Sequence, residues 1–268
     1  MARHLRLTIL GCGSSPGTPR ITGDWGNCDP TNPRNRRTRC SAMVELVDGD
    51  DVTRVVIDCG PDFREQMLAA SVTRIDGLLI THPHADHIHG LDDVRGYVID
   101  HRKLVDLYAD ADTYARLFEA FGYCFRTPPG SSYAPIVRYK PIAAAEPFVV
   151  EGQAGPLTIR PYAQTHGTIH SLGFRIGPLA YSSDVSDFPP EAIDVIDGAE
   201  LLVVDALQHR PHPSHFSLSQ ALEWIERLGV PRAILTHMHT PLDYETVSRA
   251  VPPSVQPAYD GLQVELNL

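Results

Sequence analysis

Gly77-Leu78-Leu79-Ile80-Thr81-His82-Pro83-His84-Ala85-Asp86-His87 is the stretch on which the reading of this chain turns. Gly77 to Ile80 is a short apolar run, read as a buried strand that Thr81 closes. Four candidate ligands follow within six residues: His82, His84, Asp86 and His87. Imidazole nitrogens and a carboxylate at a strand end suit a compact loop around a divalent cation. Zn(II), Mn(II) and Fe(II) all accept that donor set. Pro83 biases His82 towards extended backbone, which preorganises the loop.

The same grammar recurs further along. Tyr162-Ala163-Gln164-Thr165-His166 places a histidine just past an expected strand. Ala180-Tyr181-Ser182-Ser183-Asp184 does so with an aspartate, and Ala233-Ile234-Leu235-Thr236-His237 with another histidine. Singly, each residue is as well explained by a cap or a turn. Together they bring the set to seven ligands, enough for two cations that share one carboxylate. The 13 histidines also cluster, with 11 of them falling in 82–89, 166–170 and 209–239.

The frame around these residues is α/β. Strands are expected at 3–10, 41–47, 52–58, 77–81, 104–108, 157–162, 172–176, 179–182, 201–205, 232–236 and 262–267. Helices are expected at 62–70, after Gly90, at 111–121, in a short piece before 201, at 218–228 and at 243–250. The stretch 127–147 reads as a long Pro-rich connection holding at most one strand. Neither a linker nor an internal repeat is visible, so residues 1–268 read as a single domain of two sheets faced by helices.

Composition narrows the class. With 268 residues and 43% hydrophobic content the chain can bury a large core, and it is neither disordered nor fibrous. A net charge of -10 disfavours a global nucleic-acid surface. No run approaches a membrane span, and the alternating start, Met1 to Leu10, does not suit a secretory signal. Five irregularly spaced cysteines make no disulfide framework, so the expected compartment is the cytoplasm.

The pattern H-x-H-x-D-H followed by a distant His, Asp and His resembles the metallo-β-lactamase superfamily. That resemblance implies an αββα sandwich, two mixed sheets flanked by helices, with a dinuclear site at one edge. It also implies the ligand roles. His82, His84 and His166 would hold one metal, Asp86, His87 and His237 the other, and Asp184 would bridge them. Asp58, in Val55-Val56-Ile57-Asp58-Cys59-Gly60, looks like the superfamily's strand-end aspartate and would orient a ligand histidine from behind. A carboxylate bridge, and His84 at the second motif position, distinguish the chain from β-lactam hydrolases and oxygen-reducing members.

Finer features are similar to the phosphodiesterase branches: Leu10-Gly11-Cys12-Gly13-Ser14-Ser15-Pro16-Gly17-Thr18-Pro19, Gly90-Leu91-Asp92-Asp93-Val94-Arg95, Val203-Val204-Asp205 and His215-Phe216-Ser217-Leu218. They most resemble the phosphoribosyl 1,2-cyclic phosphate phosphodiesterase family. That implies hydrolysis of a small cyclic phosphate to a phosphomonoester with two Zn(II) or Mn(II) ions. Asp86 and Asp184 would serve catalysis through the metals, and His215 would touch the substrate and assist the leaving oxygen. Asp205 would support a site histidine, and His212 would be a second phosphate contact or merely exposed. A homodimer is expected at family level.

One departure is plain. That family commonly carries a Cys-x-Cys-x-x-Cys zinc site, whereas this chain has only Cys28 and Cys40 there, so no structural zinc is expected. The same stretch holds Arg34, Arg36, Arg37 and Arg39. They would steer phosphate, with Arg37 as the substrate contact, or equally form a solvated loop or subunit contact. His209 and His239 read as peripheral, and His89 and His170 have no assigned role. Competing functions are a tRNA 3′-end endonuclease, a cyclic nucleotide phosphodiesterase, a thioester or lactone hydrolase, and a metal-dependent binding protein. The segment 185–236 has no long basic insertion to clasp tRNA.

Overall fold

A computed structural model describes residues 3–268. Among the described residues fourteen strands form two seven-stranded sheets. In the first, β1 (His4–Gly11), β2 (Ser41–Asp48) and β3 (Asp51–Ile57) form an antiparallel meander. Then β4 (Gly77–Leu79), β5 (Val105–Ala109) and β6 (Val137–Pro141) follow in parallel, and β14 (Gln263–Asn267) closes the other edge against β1. The second sheet repeats the scheme. β7 (Phe148–Val150), β8 (Leu157–His166), β9 (Ile169–Ile176) and β10 (Leu179–Ser182) are antiparallel. β11 (Leu201–Asp205), β12 (Arg232–Thr236) and β13 (Val255–Pro257) extend it in parallel.

Helices cross between the parallel strands, as parallel connections require. They are α1 (Phe63–Ala69), α2 (Ala85–Ile88), α3 (Arg95–His101) and α4 (Ala111–Phe125) on the first sheet. On the second they are α5 (Pro190–Ile196), α6 (Leu218–Leu228) and α7 (Tyr244–Ala250). The αββα sandwich is therefore the observed architecture. The central strands β2, β10 and β11 are buried on both faces. Val55 and Ile57 of β3 join the core between the sheets, while Val56 joins the core under the first sheet's helices. Local chemistry sets several boundaries: Gly49, at φ 61°, turns β2 into β3, and a Ser217–Gln220 capping box opens α6.

The structure departs from the sequence reading in places. β8 runs on to His166, so that ligand ends its strand. β9 begins at Ile169 because Gln164 to His166 pair across the hairpin with Ile169 to Ser171. The ligand loop contains one helical turn, α2, carrying Asp86 and His87. β7 and β13 are three-residue strands, too short for a periodic pattern. Among the described residues no helix is long and apolar enough to cross a membrane.

A candidate dinuclear metal centre

The parallel strands aim their carboxyl ends at one edge of the sandwich, where ligands gather in open α/β sheets. Asp58 follows β3, Thr81 and His82 follow β4, Asp184 follows β10, Asp205 ends β11 and His237 follows β12. Three of these, Asp58, Asp184 and His237, have left-handed backbones, at φ 65°, 50° and 55°. Such a residue is uncommon outside glycine, and it turns the chain sharply so that the side chain faces the edge.

All seven predicted ligands meet there. His82 Nε2, His84 Nδ1, His166 Nε2 and Asp184 Oδ2 converge, with His82 and His166 at 3.7 and 3.8 Å from that oxygen and at 3.0 and 3.3 Å from His84 Nδ1. Asp86, His87, Asp184 and His237 make the second set. Its histidine Nε2 atoms lie 3.2 Å (His87) and 3.4 Å (His237) from Asp184 Oδ1, and 3.5 and 3.7 Å from Asp86 Oδ2. Donors about 2.1 Å from a tetrahedral cation stand roughly 3.4 Å from one another. Asp184 thus gives one oxygen to each set. His87 Nε2, His237 Nε2 and Asp184 Oδ1 are buried and make no hydrogen bond. Leaving three such atoms unpaired is costly, and divalent cations at their point of convergence remove that cost. The residues fit a binuclear metal site.

The atoms behind the ligands fix them. Asp58 Oδ2 accepts from His87 Nδ1 at 2.7 Å, and the same carboxylate accepts from the Thr81 amide and hydroxyl, both at 2.8 Å. The Thr81 hydroxyl in turn takes the His82 Nδ1 proton at 2.9 Å, so one aspartate orients a ligand in each set. His166 Nδ1 donates to the Ser214 carbonyl at 2.7 Å. Each of these bonds leaves Nε2 for the cluster.

The electrostatics follow from burial among mixed charges. Burial opposes ionisation of Asp184, yet His237 and His87 hold its carboxyl well below the usual range. Burial lowers His166 to about 4, which favours the neutral imidazole that ligates metal.

His215 lies against the same cluster, its ring 4.8 Å from those of His166 and His237. Its Nδ1 is 2.6 Å from Asp205 Oδ2, which also accepts from the Val185 amide at 3.1 Å. Asp205 Oδ1 is 3.8 Å from His237 Nδ1. His212 is half-buried, with its ring 5.2 Å from that of His215. Of the histidines without a role, His209 is exposed, His89 packs edge-on against Phe121, and His170 pairs with Asp110.

Arg37 is a correction. It is 2% exposed, and its guanidinium is spent on the Leu242 carbonyl at 2.6 Å, the His239 carbonyl and Asn35. It clamps the 11–39 loop to the segment after β12 and is closed to any substrate. Arg34 stacks on Tyr244 and Tyr259. Thr81 and Ser214 are supports that no sequence pattern signalled.

The family model described as "Beta-lactamase superfamily domain" matches residues 53–238, well over half of the chain. This chain belongs to the metallo-β-lactamase superfamily. Within the superfamily it is 35% identical to a structure described as "a New Diphosphatase from the PhnP Family", with a TM-score of 0.89, covering 100% of this chain and 99% of that one. The fold also matches Zn(2+)-bound PqqB from Methylobacterium extorquens, at 18% identity and a TM-score of 0.75, over 97% of this chain and 100% of that one. A curated relative in Porphyromonas gingivalis, named octanoyltransferase, is 34% identical over 98% of this chain. The chain spans about half of that relative's length, 52%.

Proposed function

We propose that the chain is a dinuclear metal-dependent phosphodiesterase that opens a small cyclic phosphate to a phosphomonoester. The observation that carries this is Asp184, whose two oxygens serve two adjacent ligand sets while His215 stands against both. Zn(II) or Mn(II) in those sets would supply Lewis acidity and an activated water. His82, His84, His166 and Asp184 would hold one ion, and Asp86, His87, His237 and Asp184 the other.

The chain's own contribution to the chemistry centres on His215. Asp205 accepts a hydrogen bond from its Nδ1–H, which fixes the tautomer and leaves Nε2 as the titrating atom. Burial lowers its pKa, which makes the ring, once protonated, a stronger acid. As the bond from phosphorus to the leaving oxygen breaks, His215 Nε2 passes a proton to that oxygen. Asp58 and Thr81 keep His87 and His82 from rotating. The similarity to a PhnP-family diphosphatase supports phosphorus as the electrophile, and PhnP is a phosphoribosyl cyclic phosphate phosphodiesterase. A second reading, hydrolysis of an acyl thioester, takes support from the relative named octanoyltransferase.

The test is turnover of ribose 1,2-cyclic phosphate beside 2′,3′-cyclic nucleotides and an octanoyl thioester, using the metal-reconstituted protein. The ribose compound is expected to be preferred. Asp184→Asn should lose both bound metal and rate. His215→Ala should keep its metal and lose rate by about 10²–10⁴-fold. Turnover of the thioester alone overturns the proposal, and loss of metal in His215→Ala overturns that residue's role.

A further inference from the structure

The helix side of the first sheet holds a cavity that contains none of the metal ligands. Its volume is about 400 Å³, within the range that takes a small ligand. Thr8 and Leu10 come to it from β1, Gln66 and Ala69 from α1, and Asp260 from the turn before β14. Leu7 and Ile9 point into the core between the sheets, so the alternation of β1 turns Thr8 the other way, towards α1.

Two buried side chains line this cavity with an oxygen that makes no hydrogen bond. They are Thr8 Oγ1 and Gln66 Oε1, on residues 2% and 4% exposed. The Gln66 amide cannot be turned round to relieve this. Its Nε2 donates to the Arg39 carbonyl at 2.8 Å and to the Thr38 hydroxyl at 2.9 Å, and a carbonyl only accepts. The Thr38 hydroxyl donates in turn to Asp260 Oδ2 at 2.7 Å. The amide is thus fixed, with Oε1 turned away from Thr38 and Arg39. Two acceptors buried without partners are costly, and donors supplied from the cavity remove that cost.

The charge of the lining selects the kind of donor. Asp260 and Glu65 line the cavity, and among the described residues no Lys, Arg or His does. The Asp260 carboxylate accepts from the Cys12 and Thr38 amides at 3.1 and 2.7 Å, which favours its ionised form against burial. Glu65 is exposed, and its pairing with the neighbouring Arg64 is a surface contact that yields easily. Leu10, Ala69 and Ala70 add apolar surface that suits an alkyl stem.

We propose that this cavity binds a small aliphatic diamine. One ammonium donates to Thr8 Oγ1 and Gln66 Oε1, the stem lies along the apolar lining, and the second ammonium meets Glu65. An ammonium brings three donors and no acceptor, which matches two unpaired oxygens beside a carboxylate. The site is independent of what the metal centre hydrolyses.

Calorimetric titration of the metal-reconstituted protein with butane-1,4-diamine tests this. One saturable site per chain is expected at millimolar diamine. Butane-1,4-diol, of similar length and uncharged, should bind at least about tenfold more weakly. Thr8→Val keeps the shape but removes one acceptor, and should weaken diamine binding about tenfold. Because that hydroxyl has no partner in the fold, the variant should melt no lower than wild type, which shows that it is folded. Ala69→Leu, an exposed position on α1, should narrow the cavity and weaken binding as well. Glu65→Gln should weaken it about two- to fivefold and flatten its salt dependence. A diamine that chelated the metals or adhered to the acidic surface would ignore Thr8 and Ala69. Equal binding by wild type, Thr8→Val and Ala69→Leu therefore overturns the proposal, as does the lack of saturable binding to wild type. Equal affinity for the diol overturns the choice of a cation. None of these readouts depends on turnover, so a failed hydrolysis assay leaves them intact.

Discussion

Asp58 touches no metal-facing atom, yet it governs one histidine of each ligand set. Its carboxylate meets His87 directly and His82 through the Thr81 hydroxyl. It is fully buried, and burial pushes its carboxyl up, partly offset by His87 and by the Thr81 amide. Three donors, His87 Nδ1 and the Thr81 amide and hydroxyl, point at it and favour the carboxylate. Asp58→Asn keeps the volume but loses the charge, and its amide cannot accept at both oxygens. Metal affinity should fall about 10–100-fold, measured by competition with a chromophoric chelator, while the far-ultraviolet spectrum stays unchanged. An affinity equal to wild type would mean the aspartate only packs.

At the scale of elements, short turns decide the geometry. A Cβ at Gly60 would lie 2.0 Å from the Asp86 carbonyl oxygen, so the turn after β3 can sit against α2 only with glycine there. Gly60→Ala should push α2 outward, carrying Asp86 and His87 with it. The second ion is expected to bind more weakly than the first in that variant, as resolved by stepwise metal titration. α7 offers a stability test. Asp243 caps it by accepting from Thr246, and also accepts from Asn35 and the Asp29 amide. Burial pushes that carboxyl up, but those donors outweigh it and hold it down to about 2. A depressed carboxyl stabilises the fold fully above its unfolded value near 4, and that contribution disappears as pH falls through 2. Asp243→Ala should cost about 1–2 kcal/mol in urea unfolding at pH 7, with the difference from wild type shrinking below pH 4.

The molecule has two sheets of seven strands, and each sheet's half supplies part of each candidate ligand set. His82, His84, Asp86 and His87 come from the first sheet's half, and His166, Asp184 and His237 from the second. Metal is therefore expected to bind the folded sandwich and to tie the halves together. At a free metal concentration of 100 times Kd the stabilisation is about 2.7 kcal/mol. For a chain of this size that raises Tm by about 5–10 °C. Chelation followed by a thermal melt should show that loss, and readdition of metal should reverse it. A melt indifferent to chelator would mean the ligand edge is rigid without cations.

Much of the centre was legible along the chain because its parts are local. A strand end followed by closely spaced histidines is set by a few adjacent residues, and the seven ligands carry their chemistry in their side chains. The α/β class followed from apolar strands punctuated by helices, and the superfamily resemblance supplied the αββα arrangement of two sheets. Contacts between distant segments were not legible. Arg37 looked like a phosphate contact because arginine clusters on a loop are charged, but a segment 205 residues away supplies the carbonyl that buries it. Arg20 and His239 show no common motif, being 219 residues apart, and meet only where the loop lies over the end of β12. The Asp58–Thr81 relay and the sharing of Asp184 belong with them. Spacing along the chain specifies which donors exist, whereas packing specifies which atoms they face. Burial and hydrogen-bond direction, the quantities that separate a structural arginine from a binding one, arise only when the two sheets close on each other.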